Sequence, residues 1–158
     1  MCMDRREYPV YQDPNSHAGN GDREAQSFLS MPASARAARG FISRSLRKHG
    51  ATRSVIDDFE LVVGELTANA IEHGDGANLY VTVDFTDARW WEVEISGSSS
   101  EVGEQMDDPG QWQIADPEAE SGRGLGITRA LMDDIVTNAE AHWLSIRCRR
   151  RIAMVASP

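Results

Sequence analysis

FELVVGELTANAIEHG, residues 59–74, sets a carboxylate, a carboxamide and an imidazole at four-residue steps, as Glu65, Asn69 and His73. Four residues make about one helical turn, so the three side chains climb one edge of a helix as a polar stripe. The stripe borders an apolar face formed by Ile56, Phe59, Val62, Val63, Leu66 and Ala70, which places it at a pocket wall where a metal-bound phosphate fits. A carboxamide oxygen is a neutral, hard donor suited to Mg²⁺ that already carries phosphates and water. A carboxylate one turn earlier can orient or deprotonate a nucleophile. The plainer reading is a solvated helix flank, with His73 complementing the dipole at the C-terminal end.

Working upstream, Arg23 to Met31 reads as a short edge strand, and Pro32 opens a helix that ends at Gly50 with Ala37, Phe41, Ile42 and Leu46 on one face. The motif helix begins near Ser54, where Ser54-Val55-Ile56-Asp57 resembles a capping box, and runs to Gly74. Downstream, Asp75 to Ala77 makes a turn. Leu79, Val81, Val83 and Phe85 then alternate along one strand and Trp91, Val93 and Ile95 along the next, which predicts a hairpin. Between Gly97 and Gly122 all periodicity is lost, and so long a connection in a compact domain reads as a lid or binding loop. Helix resumes over Gly124 to Asp133, followed by strands from Asp134 and from His142. This order predicts an α/β two-layer sandwich with a mixed, largely antiparallel sheet and the helices on one face.

A length of 158 residues suits one domain, taken as 23–158, behind an N-terminal arm of 22 residues without strand or helix period. The net charge of −9 repels nucleic acid and favours a basic or polar protein partner. Arg147, Arg149, Arg150 and Arg151 are the local exception, read as the solvated edge of a terminal strand. There is no apolar run long enough for a membrane span and no secretory signal core. The two cysteines, Cys2 and Cys148, make neither a disulfide framework nor a zinc site, and a cytoplasmic location is expected.

A second constellation is ESGRGLGI, Glu120 to Ile127. Gly122, Gly124 and Gly126 alternate with Arg123 and Leu125 where a helix starts, so backbone N–H groups and the positive helix end can converge on an anion, with Arg123 adding a charged fork. A purely structural tight turn is the alternative. Taken together, E-L-x-x-N-A-x-x-H and the later G-R-G-L-G resemble the GHKL superfamily of histidine-kinase-like ATP-binding domains, and most of all its small stand-alone anti-sigma-factor serine kinases. The resemblance spans about residues 23 to 150.

That resemblance implies a Bergerat-type sandwich binding Mg²⁺ and ATP beneath a flexible lid. Glu65 would be the general base, Asn69 the Mg²⁺ ligand, and His73 the family position at the end of the same helix. Gly122, Arg123, Gly124, Leu125 and Gly126 would meet the phosphates, and Ser145 would lie near the adenine. The implied partners are a sigma factor and a STAS-type anti-sigma antagonist, with a homodimer also expected, in transcription regulation and stress response. One position departs from the pattern. Where the family carries an aspartate that accepts a hydrogen bond from the adenine amino group, this chain has Gly97. Loss of such an acceptor costs on the order of 1.5–3 kcal/mol, or about ten- to a hundredfold in affinity. Two functions are therefore expected as alternatives: a regulator that sequesters a sigma factor and phosphorylates a serine of its antagonist, or a binding module of the same fold that regulates by sequestration without kinase activity.

Overall fold

The computed structural model describes residues 22–98, 123–140 and 142–152. The elements run β1 (Arg23–Phe28), α1 (Ala33–Lys48), α2 (Arg53–His73), β2 (Leu79–Asp87), β3 (Trp90–Ser98), α3 (Arg123–Leu131), β4 (Asp134–Glu140) and β5 (Trp143–Arg151). The five strands form a single sheet in the order β1-β2-β3-β5-β4, with every neighbouring pair antiparallel. Where a mixed, largely antiparallel sheet was expected, no parallel pair is present among the described strands.

The period-2 pattern of the central strands explains the layering. Leu79, Val81, Val83 and Phe85 of β2 and Trp91, Val93 and Ile95 of β3 are buried, and the register sets Val81 against Ile95 and Val83 against Val93. Ile146 and Cys148 of β5 continue this inner face opposite Ile95 and Val93. Against it pack Ala38, Phe41, Ile42 and Leu46 of α1 and Ile56, Phe59, Val62, Val63 and Leu66 of α2, all in one hydrophobic cluster. Each such side chain contributes about 1.5–3 kcal/mol when fully buried, so this face holds the helices to the sheet.

Three details differ from the sequence reading. On α1 the buried alanine is Ala38, while Ala37 is exposed, because the helical spacing from Phe41, Ile42 and Leu46 returns to 38 and not to 37. The cap of α2 is Thr52 and not Ser54. Thr52 is extended (φ −69°, ψ 157°) and its Oγ1 accepts from the Val55 N–H at 3.4 Å, whereas Ser54 already lies inside the helix. The arginine-rich strand is interior, not an edge: β5 lies between β3 and β4. Its guanidiniums are accommodated by cross-strand carboxylates, Arg147 and Arg149 near Glu92 at 3.7 and 4.0 Å and Arg149 with Asp134 at 2.7 Å. Arg150 turns to the opposite face and pairs with Asp58 of α2. The expected N-terminal arm, but for its last residue, and the lid beyond Ser98 fall outside the described residues.

Candidate functional site

The three residues of the motif stripe lie on one helix. α2 is 21 residues long, its apolar face is buried, and Glu65 and Asn69 are half-buried one turn apart, with His73 exposed at the last turn. α3 packs beside α2 with Leu125 against the core and Gly126 and Thr128 buried, so the start of the glycine-rich helix and the end of α2 share one side of the molecule. Arg123 and Gly124 open α3. Gly122 lies outside the described residues.

Beyond His73 the chain must turn sharply toward the sheet. A Cβ on Gly74 would stand 2.5 Å from the Ala70 carbonyl of the preceding turn, so it is the turn off the end of α2 that requires glycine, while the 3.5 Å to the Ser98 carbonyl of β3 is an ordinary contact. Asp75 then locks the turn: its Oδ1 accepts from the Ala77 N–H at 3.0 Å and from the Ser98 hydroxyl at 2.7 Å. These hydrogen bonds, led by that of Ser98, hold the Asp75 carboxyl below its ordinary value of 3.8. Asp75 and Ser98 are thus structural members of the site that the sequence shows only as a turn and a serine run.

Gly97 occupies the inner face of β3, in step with Val93 and Ile95, and is buried. Its cross-strand partner is Leu79, and a Cβ on Gly97 would lie 2.8 Å from Leu79 Cδ2. A side chain at this position would therefore have to displace the end of the Leu79 side chain, which is itself 2% exposed. An isolated glycine inside a strand signals a close approach of this kind, but the sequence does not name the neighbour. Ser145 stands elsewhere. It pairs with Ser96 and Asn138, and because Ile146 and Cys148 face the helices, Ser145 belongs to the opposite side of the sheet from Glu65 and Asn69. The register thus removes Ser145 from the residues around the stripe.

The donor chemistry divides the site in two. Among the described residues no group of three His, Cys, Asp or Glu side chains is placed to hold a metal; were a Mg²⁺ carried in by phosphate oxygens and water, Asn69 with Glu65 one turn away would be oxygen donors of the right chemistry on α2. That end fits a magnesium-phosphate group. At the Gly97 end the inner face of β3 presents no acceptor side chain, and the end of the Leu79 side chain lies beside it.

The sequence profile of the Histidine kinase-like ATPase domain matches residues 28–148, and the chain belongs to that family. Two solved structures share its fold. One holds the RsbU and RsbW domains of Rv1364c from Mycobacterium tuberculosis, with a TM-score of 0.59 and 18% identity over 82% of this chain and 32% of that one. The other is the SiaB-SiaC complex from Pseudomonas aeruginosa, with a TM-score of 0.57 and 14% identity over 80% of this chain and 89% of that one. The chain therefore spans about a third of the Mycobacterium protein's structure and most of the Pseudomonas chain. At these identities the likeness establishes the fold. Curated protein sequences give no match. No helix among the described residues is long and apolar enough to cross a membrane.

Proposed function

We propose that this chain is a cytoplasmic partner-switching regulator of the anti-sigma type, which holds a sigma factor by sequestration and lets it go when a STAS-type antagonist binds the chain instead, with nucleotide binding weakened. The observation that carries this reading is Gly97, which offers no acceptor side chain and has the end of the Leu79 side chain beside it. A site built to hydrogen-bond a base and then deprived of the acceptor loses about ten- to a hundredfold in affinity, and a buried hydrocarbon offers no substitute donor or acceptor. Membership of the family and the likeness to a chain captured with a protein partner support the regulatory role.

Calorimetric titration of the full chain with Mg-ATP tests it. The expected result is no saturable heat up to about 1 mM nucleotide. Gly97→Asp should restore binding in part, since the end of the Leu79 side chain must shift to admit it, and the double variant Leu79→Ala with Gly97→Asp should bind more tightly than either the parent or the single variant. Micromolar binding by the parent chain overturns the reading.

One observation favours a second reading, a serine kinase acting on the antagonist: Glu65 and Asn69 stand half-buried one turn apart beside the glycine-rich helix. In that case ATP would supply the phosphoryl group and ADP would leave, Asn69 would hold the Mg²⁺ that neutralises the phosphate charge, Glu65 would take the proton of the acceptor serine, and Arg123 with Gly122, Gly124 and Gly126 would meet the phosphates. Glu65→Gln should then abolish phosphate transfer to the antagonist and leave nucleotide affinity nearly unchanged.

A further inference from the structure

β4 is one of the two edges of the sheet, and among the described residues its ladder runs to β5 alone. The alternation of an antiparallel ladder shows which of its backbone groups are left over. The Asp133 N–H donates to the Arg149 carbonyl and the Ile152 N–H to that of Arg89, so the odd-numbered residues of β5 turn their backbone groups to β4 and the even-numbered ones to β3. Their partners Val136, Asn138 and Glu140 therefore face β5, and Ile135, Thr137 and Ala139 point their N–H and C=O groups outward from the edge.

The two edges are guarded differently. β1 carries Glu24 on its inner face, opposite Val83 and held by Lys48 at 2.8 Å, an inward charge of the kind that discourages an added strand. β4, DIVTNAE, has no proline, glycine or lysine, keeps an unbroken register with β5, and leaves Val136 41% exposed on the outer face. An added strand must match this sequence, and β4 matches itself. In two antiparallel copies with a two-fold axis at Val136, Ile135 of each makes a hydrogen-bonded pair with Thr137 of the other. The two Val136 side chains then meet as a non-hydrogen-bonded pair, where approach is closest, and Asp134, already balanced by Arg149 at 2.7 Å, lies beside Asn138. An axis at Thr137 instead sets Asp134 against Glu140 twice, and an axis at Ile135 sets Val136 against Asp134. Like charges directly opposite, or a valine facing a carboxylate, disfavour both.

We propose that β4 pairs antiparallel with β4 of a second copy of this chain about a two-fold axis at Val136, joining two five-stranded sheets into one. The pairing is independent of nucleotide and of the regulatory reading given above. One strand pair is a small interface, so the dissociation constant is expected on the order of 100 μM. Each chain carries a net charge of −9, so added salt should tighten the dimer.

Sedimentation equilibrium of the full chain, from about 10 μM to about 1 mM, should show a monomer–dimer equilibrium. Thr137→Pro should weaken it at least about tenfold, because proline there removes an outward N–H and no bond to β5; near-ultraviolet circular dichroism checks that this variant is folded. A second pair of variants reads the register. In a Cys2→Ser background, with Cys148 buried, Val136→Cys sets two thiols across the axis at the roughly 4.5 Å Cα separation of a non-hydrogen-bonded pair, within disulfide reach. It should cross-link under mild oxidation. Asn138→Cys leaves its two thiols about 14 Å apart and should link at least about tenfold more slowly. The proposal is overturned if the chain stays monomeric at about 1 mM in about 0.5 M salt, which would leave the edge to a strand of another protein. It is equally overturned if folded Thr137→Pro dimerises like the parent, or if Val136→Cys links no faster than Asn138→Cys, which would place the dimer on another surface.

Discussion

Cys148 shows how one residue's chemistry is set by its layer. Its side chain is 0% exposed on the inner face of β5, and burial, with the nearby charges of Asp134 and Glu92, pushes the thiol up to about 12. At pH 8 almost no thiolate exists. In a Cys2→Ser variant, Ellman's reagent should label no thiol in the native state and one thiol after denaturation; native labelling would show that the inner face of β5 opens. At the same scale, Glu65 and Asn69 were legible in the sequence because helical spacing alone puts them on one edge. Gly97 was legible as a missing aspartate but not as a close contact, since the neighbour that makes it, Leu79, comes from the paired strand. The face on which Ser145 lies was not legible for a related reason. A one-residue difference in strand phase sends a side chain to the other face, and the phase is fixed by Ile146 and Cys148 in the core.

At the scale of elements, the start of α2 distinguishes two hydroxyls two residues apart. Thr52 caps the helix through the Val55 N–H, and Thr52→Ala should cost about 0.5–1 kcal/mol in urea denaturation. Ser54→Ala should change stability by only a few tenths of a kcal/mol, because its hydroxyl is not the cap. The other end of α2 is tied to β3 by Asp75 and Ser98. The depressed carboxyl of Asp75 stabilises the fold above its ordinary value of 3.8, and that contribution is lost as the pH falls through the lower folded value. The stability difference between parent and Ser98→Ala should therefore be constant near neutrality and shrink below about pH 4; a difference unchanged down to acid would exclude the carboxylate as the partner. Among the described residues the element order was legible from periodicity and from breaker residues such as Pro32, Gly50 and Gly74, β1 alone lacking a clear period. Caps and ties were not, because they depend on which donor the folded backbone leaves unpaired.

For the molecule as a whole, the pair of Arg150 and Asp58 joins residues 92 positions apart and fastens the last strand to the start of the motif helix. Both side chains are about a quarter exposed, so the tie ranks between a surface and a buried ion pair. Asp58→Ala should cost about 1–2 kcal/mol, and Arg150→Ala in the same chain should add less than it costs alone, as chemical denaturation of the four species would show. The same strand explains a wider correction. Four arginines near the end of a chain suggest an exposed edge, yet β5 is interior because β4 pairs outside it, and cross-strand carboxylates receive the charge.

The amino-acid sequence by itself determined the eight elements in order, the apolar face of each central strand and the polar edge of α2, because these follow from periods of 2 and 3.6 that are local properties of the chain. Tertiary structure alone decided that β5 is interior, that the end of the Leu79 side chain lies beside Gly97, and that β4 is left at the edge of the sheet. Those outcomes depend on which strand pairs with which and in what register. Such pairings are made between segments tens of residues apart, where no local period records the partner.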